Sequence, residues 1–203
     1  MGRPRRHDLD ELLDHARKLW VRRGAAGVTI RGLSDAAGVS NGAIYNAFGS
    51  RDGLLAAVWA REASRFLEFQ RHAVETSLVT AGSTDAVVAA ATAPATYAAS
   101  DELGAQLLLA VTLDDLVTPD LAESRRHELV ELQRTLTALL TRLAHEHWGR
   151  DDRSAVTVIK YCVVDLPAAL LLRADSVADP LAVHTLELAV RGVVSKPPPA
   201  PPP

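Results

Sequence analysis

The stretch richest in chemistry is residues 29–48, TIRGLSDAAGVSNGAIYNAF. Thr29 is a natural N-cap for a short helix whose apolar side is Ile30 and Leu33. Ala36 and Ala37 are small enough to let a second helix come close. Gly38 ends the first helix and makes the turn, Val39 points inward, and Ser40 caps a second helix over residues 41–48. Ile44 and Phe48, four apart, face inward and leave Asn41, Gly42, Tyr45 and Asn46 on the outer face. Two short helices joined by a Gly-containing turn make a helix-turn-helix, whose second helix enters a DNA major groove. A helical hairpin of an ordinary core would carry a salt-bridged outer face. This one is polar and neutral, which suits base edges and phosphates, whereas acids there would be repelled.

The charge distribution fits a chain with two jobs. The net charge is −3, but residues 1–61 hold 10 Lys and Arg against 6 Asp and Glu, and the rest hold 12 against 19. A basic head could meet a polyanion that an acidic body would repel, although chance clustering gives the same split. Other chemistries fail on spacing. His145 and His147 are two apart and point to different sides of a helix. His127 and Glu131 read as a solvated pair. Cys162, the single cysteine, excludes an internal disulfide and a cysteine-based zinc cluster and reads as a small buried hydrophobe. With no phosphate loop and no nucleophile elbow, the chain reads as a non-enzyme without metal or cofactor.

The elements that must position the motif are helical throughout. Leu9, Leu12, Leu13, Ala16, Leu19 and Trp20 share one helix face, stopped by Gly24 and Gly27. A longer helix runs from Leu54 past Phe66 and Phe69, and a stripe from Leu129 to Leu143 makes another. Residues 155–172 are apolar on nearly every face, and a last helix carries Leu181, Leu186, Leu188, Val190 and Val193. No segment alternates with period two, so no sheet is expected. Breaks are expected at 77–84, 118–119, 149–152 and 175–180, and kinks or interruptions at Pro94 and Pro167. Gly32 and Gly53 should weaken their helices by about 1 kcal/mol each relative to Ala. The uncharged stretches 36–50 and 86–100 fall short of the roughly 20 apolar residues that span a bilayer, and no apolar leader follows the N-terminus, which points to the cytoplasm. The end, KPPPAPPP, is extended polyproline, either a solvated end or an SH3-type ligand.

Residues 8–61 resemble the TetR family of bacterial transcriptional regulators. The likeness is carried by the leading amphipathic helix, the T-I-R-G-L-S-D-A-A-G-V-S core, the G-A-I-Y-N-A-F helix and S-R-D-G-L-L opening the fourth helix. It implies an all-α chain: a three-helix DNA-binding head over residues 1–61, joined by a long fourth helix to a ligand-binding and dimerisation domain over 62–195; residues 196–203, by their proline content, read as a disordered tail. It implies DNA contacts from Ser40, Asn41, Gly42, Tyr45 and Asn46, phosphate contacts from Thr29, Arg31 and Arg51 with the amides capped by Ser50, and a basic arm of Arg3, Arg5 and Arg6. The family usually has an aromatic residue or His two places after the tyrosine, where this chain has Ala47.

For the body, the resemblance implies a ligand-responsive repressor, a homodimer on a near-palindromic double-stranded operator, released by a small, mainly apolar effector. Helices near 153–174 and 180–195 would form the dimer, or pack into the monomer core; charge at Leu188 or Val163 should break assembly. The Ala-rich region 83–113 leaves room for a pocket or packs tightly. Phe66, Phe69, Tyr97, Gln106, Tyr161 and Asp165 are the candidate lining. Asp165, read as a buried acid, would bind a ligand cation, cap the backbone freed by Pro167, or pair with Arg173 or Arg191.

Overall fold

Caps decide where the helices begin. In the computed structural model, which describes residues 6–173 and 177–199 and only the backbone of 6–8, side chains close the first turn wherever the sequence offers an N-cap. Thr29 accepts from the Gly32 amide at 3.1 Å, Ser40 from Ala43 at 3.3 Å, and Ser50 from Gly53 at 3.0 Å. Asp152 and Asp179 do the same for two later helices. Arg3, Arg5, Asp175 and the last four residues lie outside the described residues.

Among the described residues the chain is all-helical. The helices are α1 (Arg6–Arg23), α2 (Ile30–Ala37), α3 (Asn41–Phe48), α4 (Arg51–Thr80), α5 (Ser83–Ala110), α6 (Glu123–Trp148), α7 (Arg153–Lys160), α8 (Leu166–Leu171) and α9 (Pro180–Val194). A 3-10 turn, Ala25–Gly27, follows α1, and a π-helical segment, Tyr161–Asp165, joins α7 to α8.

Contacts divide the chain into two units. One holds residues 1–64 and takes in 111–132; the other holds 65–110 and 133–203. The core of the first unit is Leu12, Leu13, Ala16 and Trp20 of α1, Ile30 and Leu33 of α2, Ile44 and Phe48 of α3, and Leu54, Leu55 and Val58 of α4. Trp59 Nε1 donates to the Val111 carbonyl at 3.1 Å, which ties the added stretch to α4.

In the second unit Val74, the α5 alanines, Leu139, Leu140 and Leu143 of α6, Ile159, Leu171, Leu186 and Val190 form the core. The two prolines act differently from each other. Pro167 ends the regular pattern as expected, with the π-helical segment before it. Pro94 does not break α5; the non-helical residue there is Asp101 (φ −149°, ψ 81°), whose carboxylate caps the following turn through the Gly104 amide at 3.0 Å.

The run Arg153–Leu171 is, by length and composition, apolar enough to cross a bilayer, contrary to the expectation that no stretch qualifies. One face of it, through Ala155, Ile159, Cys162, Val163 and Leu171, is built into the core instead. Burial pushes the Cys162 thiol up to about 11, so it stays protonated at neutral pH, where the thiolate is the reactive form. Folded protein is expected to resist a disulfide-exchange reagent at pH 8 and to label fully in denaturant; rapid labelling of the native chain would contradict that burial. The tail is also anchored where it begins. Arg150 donates to the Pro198 carbonyl at 2.6 Å and to Pro199 at 3.2 Å, so residues 198–199 are held rather than disordered. Polyproline carbonyls lack internal donors, which leaves them open to such a guanidinium.

Candidate nucleic-acid interface

The helix-turn-helix has the geometry its sequence predicts. Gly38 closes α2 in the left-handed region (φ 68°, ψ 17°), where a side chain would be strained. Ile44 and Phe48 are buried, and Ser40, Asn41, Gly42, Tyr45 and Asn46 are exposed along one side of α3, with Tyr45 51% exposed. Thr29 and Arg31 are exposed at the start of α2. The Thr29 and Ser40 oxygens accept backbone amides, which leaves each hydroxyl proton free to donate outward. No acid stands on the exposed side of α3.

Arg51 is bonded within the head. Its Nε donates to the Val28 carbonyl at 2.7 Å, its Nη2 to the Ala25 carbonyl, and its Nη1 reaches Asp52. The guanidinium thus fastens the turn between α1 and α2 to the start of α4, a positioning part within the head that the sequence did not show. Gly53 is likewise no weak point. A Cβ there would lie 2.0 Å from the Phe48 carbonyl oxygen, so glycine is what lets α3 end against the first turn of α4.

Sequence reasoning also missed Glu62. It is 0% exposed and bonded by Arg17 at 2.9 Å and Arg61 at 3.1 Å. Arg61 continues to Asp14 at 2.6 Å and to the Asp10 carbonyl at 3.1 Å. The network locks α1 to α4 beneath the motif. Ala47 lines an open cleft of about 500 Å³ with Phe48, Gly49, Ala122, Ser124, Arg125 and Glu128. There the Arg125 guanidinium lies 5.8 Å from the centre of the Phe48 ring.

Of the candidate effector residues, the structure brings three together. The Phe66 and Phe69 rings meet Tyr97 at 5.6 and 5.3 Å. Gln106 turns to Glu102 at 3.3 Å on the surface. Tyr161 is 54% exposed. Asp165 is not a buried acid: it is exposed, 3.8 Å from Lys160, and makes no cap for α8. Arg191 pairs instead with Asp85 at 2.5 Å. The physical reason is the π-helical turn, whose extra residue per turn rotates Asp165 onto the outer stripe with Lys160 and Tyr161. Val163 is 3% exposed, a core residue and not a surface one.

Comparison with known proteins places this geometry. The family described as "Bacterial regulatory proteins, tetR family" matches residues 12–58, from the middle of α1 through the first turns of α4. The HTH-type transcriptional repressor AcnR of Corynebacterium glutamicum is 38% identical over 58 residues, 29% of this chain and 31% of AcnR. The helix-turn-helix segment, residues 12–58, is thus similar to the tetR family. The chain's match to that curated relative spans about a third of the relative's length. Over the whole chain the likeness is one of fold. A tetR-family regulatory protein from Rhodococcus RHA1 superposes with a TM-score of 0.67 at 18% identity, covering 92% of this chain and 96% of that one. FadR of Bacillus subtilis, solved in complex with stearoyl-CoA, does so with 0.65 at 15%, covering 92% and 97%. The tetR-family match contains every residue of the helix-turn-helix and stops before the aromatic cluster at Phe66, Phe69 and Tyr97.

Proposed function

We propose that this chain is a ligand-responsive transcriptional repressor acting in the cytoplasm, which binds a near-palindromic operator as a homodimer and is released by a small, mainly apolar effector. The observation that carries the DNA-binding part is the capped, acid-free outer side of α3, set on a motif the tetR-family match spans. Residues 1–61 act as the head, 62–195 as the effector and dimerisation domain. Asn41, Gly42, Tyr45 and Asn46 meet the major groove, and Thr29, Arg31 and Ser40 the phosphates, with Arg51 holding the turn that presents them. Tyr45→Ala is expected to weaken operator binding at least tenfold in a gel shift on upstream DNA while leaving the melting transition unchanged. Equal retardation of both proteins would refute the docking.

The dimer is supported by apolar side chains left on α9. Leu181 and Leu188, seven apart and so on one face, are 73% and 59% exposed. Leu188→Glu is therefore expected to yield a folded monomer in light scattering at micromolar concentration. Charge at the buried Val163 would unfold the chain instead and says nothing of assembly. A wild-type monomer under those conditions would overturn the dimer.

A further inference from the structure

Helix α5 runs through Pro94 without breaking. A proline has no amide proton, so the carbonyl four residues back loses its helical donor. That carbonyl is Ala90, and the Gln70 side chain of α4 replaces the missing proton: its Nε2 donates to Ala90 O at 2.8 Å. This bond fixes which end of the carboxamide is which. The other end, Oε1, is left in the core. Gln70 is 1% exposed, and no donor of the described chain reaches Oε1. The buried neighbours along α5, Ala86, Ala90, Ala91 and Ala93, carry only methyl groups. The Thr92 hydroxyl is spent on the Val88 carbonyl at 2.9 Å. A buried acceptor with no donor loses its hydration and gains nothing for it, so native chains rarely keep one without a use. On α4 Phe66, one turn before Gln70, and Phe69, the residue before it, are partly exposed and set against Tyr97.

We propose that Gln70 Oε1 is the polar anchor of the effector site, and that the effector is an apolar, partly aromatic molecule carrying one hydroxyl or N–H donor. The inference rests on the ligand-responsive reading above. Ring faces at Phe66, Phe69 and Tyr97 take an aromatic body by offset or edge contacts, and the donor completes the carboxamide that Pro94 made necessary. A ligand lacking the donor fits the same apolar walls and leaves Oε1 unbonded, which makes this atom a determinant of specificity more than of bulk affinity.

The test uses the full chain and two probes, 2-naphthol and its methyl ether 2-methoxynaphthalene, which replaces the donor proton by a methyl, titrated calorimetrically. The wild type is expected to bind the naphthol roughly three- to tenfold more tightly. Gln70→Met, checked for its melting transition, is expected to erase that preference while holding the ether within about twofold. Equal affinities in the wild type would overturn the anchor while leaving the effector site standing, and would make the Ala90 bond the whole purpose of Gln70. A preference that survives Gln70→Met overturns it too. Should that variant not fold, a crystal structure of the naphthol complex decides: an oxygen beyond hydrogen-bond reach of Oε1 overturns the proposal. Binding of neither probe overturns the anchor and the apolar-effector reading together.

Discussion

Gly53→Ala is expected to destabilise the head by about 3 kcal/mol and to abolish operator binding at 37 °C, although alanine is the better helix former by about 1 kcal/mol. Steric overlap outweighs propensity here. The new methyl would stand 2.0 Å from the Phe48 carbonyl oxygen and 3.2 Å from its carbon, both backbone atoms, so no side chain can swing aside. Relief requires the end of α3 to move away from the first turn of α4, which opens the contact that buries Phe48 and Leu54. Gly42 is the internal control, because a Cβ there meets nothing within 4 Å. Gly42→Ala should leave the urea midpoint unchanged or raise it slightly while weakening DNA binding through lost close approach. A Gly53→Ala protein with the wild-type urea midpoint would contradict the packing of α3 on α4.

What was legible in the sequence was local. The caps at Thr29, Ser40 and Ser50 reach three residues ahead, and the Gly38 turn depends on its own backbone, so residue type and spacing suffice to find them. The stripe on α1 and the polar outer side of α3 are periodic and equally short in range. The positioning part of Arg51 was not legible because its partners, the Ala25 and Val28 carbonyls, lie 26 and 23 residues back. Exposed arginine at a helix start and arginine buttressing a distant turn look alike in one dimension. Gly53 failed for the same reason, since propensity knows nothing of a carbonyl held against the helix. At Pro94 the expectation of a break was sound for an isolated helix, and Gln70, twenty residues before the carbonyl it serves, removes it. Asp165 was lost to register: a uniform apolar run gives no sign of where a π-helical turn will rotate its faces. The resemblance over residues 8–61 placed the head, while the body, whose solved relatives share the fold at under 20% identity, offered only its helicity.

The second large effect is expected at Glu62. Its side chain is 0% exposed, between Arg17, 12% exposed, and Arg61, 15% exposed. Glu62→Gln keeps the shape and removes the charge, leaving two guanidinium groups crowded in a poorly hydrated site. Removing one member of a buried pair costs about 3–5 kcal/mol, because the remaining charge keeps its desolvation penalty and loses its compensation. The lower end is expected here, since Arg61 retains Asp14 at 2.6 Å and the Asp10 carbonyl. An exposed pair is a fair contrast. Glu68, held by Arg71 at 2.6 Å, has its carboxyl pulled below the ordinary range by that hydrogen bond, yet both side chains lie in solvent, and Glu68→Gln should leave the melting temperature unmoved. A further variant separates charge compensation from packing. Replacing the pair together, Arg17→Met with Glu62→Leu, removes both desolvation penalties, and apolar side chains of similar volume in place of a buried pair are often neutral or stabilising. The double variant is therefore expected to recover most of what Glu62→Gln loses. If Glu62→Gln melts with the wild type, the network is not holding α1 to α4. If the double variant is as unstable as the single one, packing and not charge is what the site requires.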